Sequence, residues 1–99
     1  MAILDAASVP TANGARYVAQ LCKHWSHKLE VEQNGDAARI VLLNDAVVTL
    51  AARPEALDLA IEAASPEDLE LAKDVLVRHL DRFAFREAPL AYGWRGVDA

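Results

Sequence analysis

Between residues 28 and 63 the hydrophobic period of the chain drops from about 3.6 to 2, and no other feature limits the fold so strongly. In KLEVEQ (28–33) Leu29 and Val31 alternate with Lys28, Glu30 and Glu32. In LDLAIEA (57–63) Leu57, Leu59 and Ile61 alternate with Asp58 and Glu62. Such alternation is the pattern of strands with one face buried and one wet. Asn34-Gly35 predicts a type I′ hairpin turn, since both residue types accept positive φ. ARIVLL (38–43) reads as the return strand and VVTLAA (47–52) as strand again. The intervening Asn44-Asp45 has two readings. A true turn puts four strands between the flanking helices, which then run antiparallel. A bulge in one bent strand leaves three, and the helices run parallel, so that only in this case their C-terminal ends meet. Asn-Asp is a weaker turn signal than Asn-Gly, which favours the bulge.

Helical periodicity flanks this block. Val18, Leu21, Cys22 and Trp25 fall at i, i+3, i+4 and i+7 and form one apolar stripe, with Thr11 as the predicted N-cap. SPED (65–68) is a strong helix start: Ser65 caps, Pro66 takes the first turn, and two acids meet the positive end of the dipole. Leu69, Ala72, Leu76, Leu80 and Phe83 mark its buried stripe, with His79 on or beside it. ILDAASV (3–9) reads as a short edge strand and LAYGW (90–94) as a last strand. The expectation is a single domain over residues 1–99, of class α+β: a two-layer sandwich, an antiparallel sheet of three to five strands with two helices packed on one face.

A net charge of −5 argues against nucleic acid as the main partner. No apolar run is long enough for a membrane span, and the N-terminus lacks the basic start and apolar core of a signal peptide. The expected location is therefore the cytoplasm. The single cysteine, Cys22, permits no internal disulfide.

Chemistry concentrates in CKHWSHK (22–28) and RHLDRFAFRE (78–87). The first contains C-x-H-x-x-H, but helical residues two apart point in opposed directions, so Cys22 and His24 cannot share an ion. His24 and His27, at i and i+3, can share one, with His79 as the third ligand. Three histidines on a divalent metal leave an open coordination position. Cys22 belongs to the apolar stripe, where a thiol stays inert. Lys23, Lys28, Arg78, Arg82, Arg86 and Arg95 are six of the ten basic residues and crowd the two helix ends and the C-terminal segment. If those ends meet, they make a basic pocket inside an acidic protein, suited to carboxylates or phosphates. If instead Asp81, Glu87 and surface acids pair with the arginines, the cluster is ordinary surface. A strand near the chain end can also pair across a two-fold axis, giving a homodimer.

YVAQLCKHWSHK, then HLDRFAFRE, then a terminal Y-x-W-R together resemble the bacterial domain-of-unknown-function family 2218, over about Thr11 to Arg95. The resemblance implies a small cytoplasmic protein without an established activity. It also implies a loose association with siderophore and iron-uptake proteins. Some members carry an aldolase assignment, which this chain does not support: it has no lysine in an apolar Schiff-base setting and no metal triad with a base. LLNDAVV departs from the family, where a Gly-containing kink is expected. Both shared motifs fall at helix C-terminal ends, so a common function is expected there. The leading expectation is a binding or accessory domain for a small anionic or metal-chelate ligand, its pocket lined by His24, His27, Lys28, His79, Arg82, Arg86 and Glu87. The alternatives are a metal-dependent enzyme using His24, His27 and His79, or a purely structural dimerisation module.

Overall fold

The alternating block folds as a meander. A computed structural model describes residues 3–95. In it β1 (Ile3–Pro10) leads into α1 (Gly14–Trp25), and then come β2 (Glu30–Asn34), β3 (Ala37–Val41), β4 (Val47–Arg53), β5 (Ala56–Ala63) and α2 (Pro66–Phe83). The five strands form one sheet in the order β1-β5-β4-β3-β2, and every neighbouring pair is antiparallel. The fold is thus α+β, as the sequence predicts, with ILDAASV forming an edge strand. No helix among the described residues is long and apolar enough to cross a membrane.

One face of the sheet makes the core. Asp5, Ala7 and Val9 of β1, Leu57, Leu59 and Ile61 of β5, Val48 and Leu50 of β4, and Ala38 and Ile40 of β3 are all buried. The register places these inward residues opposite one another: Ala7 faces Leu59, Leu59 faces Leu50, and Leu50 faces Ala38. Onto this face α1 lays Val18, Leu21, Cys22 and Trp25, and α2 lays Leu69, Ala72, Leu76 and Leu80. Phe83, expected in that stripe, is only partly buried.

The bulge reading of Asn44-Asp45 is corrected. Val41 faces Val47, the Ala46 N–H donates to the Leu43 carbonyl at 3.1 Å, and Leu42 N–H donates to Ala46 at 2.7 Å. Asn44 and Asp45 both adopt positive φ, 54° and 60°, so the pair closes a tight hairpin. Asn and Asp are the non-glycine residues that tolerate this region best. Asn44 also donates from Nδ2 to Asp68 at 2.9 Å, which ties the turn to the first turn of α2. The preceding turn is shifted by one residue from its predicted place. Asn34 pairs with Ala37 as strand, and of the two loop residues Gly35 and Asp36 only Gly35 has positive φ, at 61°.

Two predictions at the chain ends fail for local reasons. Thr11 does not cap α1: its hydroxyl accepts the Asn13 N–H at 3.0 Å, and the helix begins at Gly14. A Cβ at Gly14 would lie 3.2 Å from the Ala52 Cβ and 3.3 Å from that of Leu57, so the glycine lets α1 start against the sheet. LAYGW is not a strand. It buries Leu90 and Tyr92, and then the Arg95 N–H donates to the Ala6 carbonyl at 3.0 Å on the outer edge of β1. At α2 the expectation holds: the Ser65 hydroxyl accepts the Asp68 N–H at 3.1 Å, with Pro66 first in the helix.

Candidate functional site

With four strands between them the helices run antiparallel: Trp25 and His24 meet His79 and Phe83, whereas Tyr17, two turns earlier in α1, meets Glu87 beyond the end of α2. The helix ends meet nonetheless. The helices are staggered, so α1 finishes level with His79, four residues before α2 does. The requirement for parallel helices is therefore corrected by this offset.

The junction is a knot of rings. The His24 and His79 centroids are 5.2 Å apart, Trp25 and His79 are 4.8 Å apart, and His24 meets Phe83 edge-on at 5.8 Å. Trp25 is buried and belongs to the core, as its place on the apolar stripe predicts. The His79 Nδ1 lies 2.7 Å from the Val75 carbonyl one turn back. That contact is a hydrogen bond only if Nδ1 carries the proton, which leaves Nε2 as the free lone pair. A depression of about 520 Å³ is lined by Gln20, Lys23, His24, His27 and Phe83. A second, of about 450 Å³, is lined by Arg78, His79, Asp81 and Arg82. His79, in contact with His24, joins the two.

The predicted pocket residues divide. His24, His27, His79 and Arg82 line these two depressions. Lys28 is exposed in the turn after α1, where its N–H donates to the Trp25 carbonyl at 3.0 Å. Arg86 sits beyond α2 with its guanidinium 5.6 Å from the Phe85 ring, itself 70% exposed. Glu87 is turned away. Its carboxylate accepts from the Thr11 hydroxyl at 2.9 Å, from Asn13 Nδ2 at 3.2 Å and from the Tyr17 phenol, all at the start of α1. Seven helical residues separate Tyr17 from His24, about 10 Å along the axis. The Tyr17 hydrogen bond, aided by Asn13 and Thr11, holds the Glu87 carboxyl below its ordinary range against the opposing effect of burial. Burial and the facing carboxylate push the Tyr17 phenol up. Among the described residues no three His, Cys, Asp or Glu side chains gather as a metal cage, so His24, His27 and His79 do not form a three-ligand centre. Cys22 is buried, which raises its thiol pKa, as its stripe position predicts.

A charged pair escaped the sequence reading. Asp5 is 1% exposed and forms an ion pair with Lys73 of α2, whose ammonium also lies 3.2 Å from Glu70 and 5.1 Å from the centre of the Trp94 ring. Burial works against the Lys73 charge, but Asp5 and Glu70 outweigh it and raise the pKa. The signal was present: Asp5 has the same strand parity as the inward-facing Ala7 and Val9.

A five-stranded antiparallel sheet, two helices on one face and a cationic, histidine-bearing pole define a small α+β domain of the ligand-binding kind, with no assembled catalytic constellation among the described residues. Residues 6–95 match the family described as an uncharacterized protein conserved in bacteria (DUF2218), and the chain belongs to it. Its fold is similar to that of PA4090 from Pseudomonas aeruginosa, determined by NMR, with 31% identity, a TM-score of 0.78 and full coverage of both chains. No curated protein matches.

Proposed function

We propose that this protein is a small binding domain for an anionic ligand, held at the pole where α1 ends beside the last turns of α2. The observation that carries this reading is the diversion of the local acids. Asp81 accepts from the Tyr92 hydroxyl at 2.9 Å and from the Leu90 N–H at 3.2 Å, and Glu87 is held at the far end of α1. Among the described residues Lys23, Lys28, Arg82 and Arg86 make no ion pair within 4.0 Å, while Arg78 pairs with Asp74 at 3.0 Å. These cations thus stand ready for an anion brought from outside, and the arginine forks suit a carboxylate or phosphate. Lys23 and Lys28 supply point charges, Arg82 the fork, and His24 and His79 orient the ligand.

The test is an amide-resolved NMR titration of the intact protein with inorganic phosphate and with citrate at low ionic strength. Shifts should cluster at residues 23–28 and 78–86. Arg82→Ala combined with Lys23→Ala should weaken binding by about tenfold, the loss of one charge-assisted contact. Added salt should weaken it further, since exposed charges are screened. Shifts scattered over the surface, or indifference to the double substitution, would remove the reading.

A further inference from the structure

The anion pole contains a feature that charge alone does not require: two imidazoles in contact. A ring centre lies about 3.2 Å from a metal bound through its nitrogen, the sum of a metal–nitrogen bond of about 2.1 Å and about 1.1 Å within the ring. Two imidazoles on one ion therefore have centres about 4.5 Å apart at a right angle and about 5.2 Å apart at the tetrahedral angle. The His24 and His79 centroids are 5.2 Å apart. His79 is also prepared as a ligand, because the Val75 carbonyl at 2.7 Å holds Nδ1 and leaves Nε2 free, the outer-shell bond that metal-ligating histidines use. Trp25 and Phe83 pack against the two rings and restrict their rotation.

The surroundings decide what kind of metal species fits. No carboxylate is placed to neutralise a dication, and Lys23 and Arg82 line the two depressions on either side of the histidines. A bare divalent ion meets like charge here. A metal already wrapped by carboxylates does not, because its chelator satisfies the cations while the metal keeps positions open for nitrogen.

We propose that His24 and His79 together ligate a divalent transition metal carried in an anionic carboxylate chelate with two open coordination positions, the chelator resting against Lys23 and Arg82. This deepens, and rests on, the anion reading above.

The experiment titrates untagged full-length protein with nickel–nitrilotriacetate, a carboxylate chelate with two open positions. Free Ni²⁺ and free nitrilotriacetate serve as comparisons. The complex should bind at least about tenfold more tightly than either component, and His24→Gln or His79→Gln should each remove about tenfold or more, while His27→Gln leaves binding unchanged. In the unsubstituted protein the paramagnetic nickel should broaden the Trp25 indole resonance, whose ring lies 4.8 Å from His79, so the outcome does not depend on the variants folding. If free nitrilotriacetate binds as well as the complex and the histidine substitutions change nothing, the chelate inference is overturned and the anion site stands. If neither chelator nor inorganic phosphate binds, both are overturned. If free Ni²⁺ binds as tightly as the complex, the site is not one for a chelate.

Discussion

Glu87 shows how far a residue's role depends on one turn of chain. In the sequence it closes RHLDRFAFRE, among the arginines that it would be expected to neutralise or assist. In the fold the turn after α2 swings it to the start of α1, where Thr11, Asn13 and Tyr17 donate to it. Tyr17→Phe should cost about 1 kcal/mol, the lower part of the range for bonds to a charged group, since the carboxylate is solvent-exposed. The sign of the pH effect follows from the depressed Glu87 pKa. Its contribution is present above the ordinary carboxyl value of 4.5 and is lost as pH falls through the lower folded value. Thermal melts of the natural protein should therefore decline on acidification below about that pH, and Glu87→Gln should lower stability at neutral pH while flattening part of this decline. A Glu87→Gln melt with an unchanged acid limb would mean the clasp contributes nothing.

At the scale of elements, turn chemistry accounts for the main difference between sequence and structure. Asn44 and Asp45 both sit at positive φ, which strains a non-glycine residue. Asp45→Gly should therefore raise stability by about 0.5 kcal/mol, whereas Asp45→Val should lower it by about 1–2 kcal/mol. Urea melts of the two variants give both signs. The alternation of LDLAIEA, the SPED cap and the stripes of both helices were legible because each is a local pattern with one physical reading. Asn-Asp was not, because two residues that tolerate positive φ fit a bulge as well as a turn until their partners across the sheet are known. The LAYGW segment misled for a related reason. Its apolar alternation is real, but Leu90 and Tyr92 bury against α2, with the Tyr92 hydroxyl on Asp81, rather than pairing as a strand. The meeting of the helix ends was legible only as a condition, since it depends on a stagger that no local pattern encodes.

At the scale of the whole molecule, the Asp5–Lys73 pair couples the first strand to the last helix across the core. Removing the ammonium alone leaves a carboxylate in a site where it is 1% exposed. Lys73→Met should cost about 3–5 kcal/mol, and adding Asp5→Leu should recover most of it, because an apolar pair of similar volume replaces the charges without a desolvation cost. Denaturant melts of the single and double variants measure the recovery. A single variant as stable as the natural protein would show that the pair is solvated in solution.

The sheet order also carries a consequence in time. Strands β2 to β5 pair with chain neighbours through tight turns, but Ile3 of β1 must find Ala63 of β5. The strand synthesised first is thus the last to acquire a partner, and its template exists only once the meander has formed. Destabilising substitutions in the β3–β4 turn should slow folding, while those in β1, such as Val9→Ala, should mainly speed unfolding. Stopped-flow rates would separate the two limbs, and a folding limb slowed equally by both would mean that β1 is recruited before the meander closes.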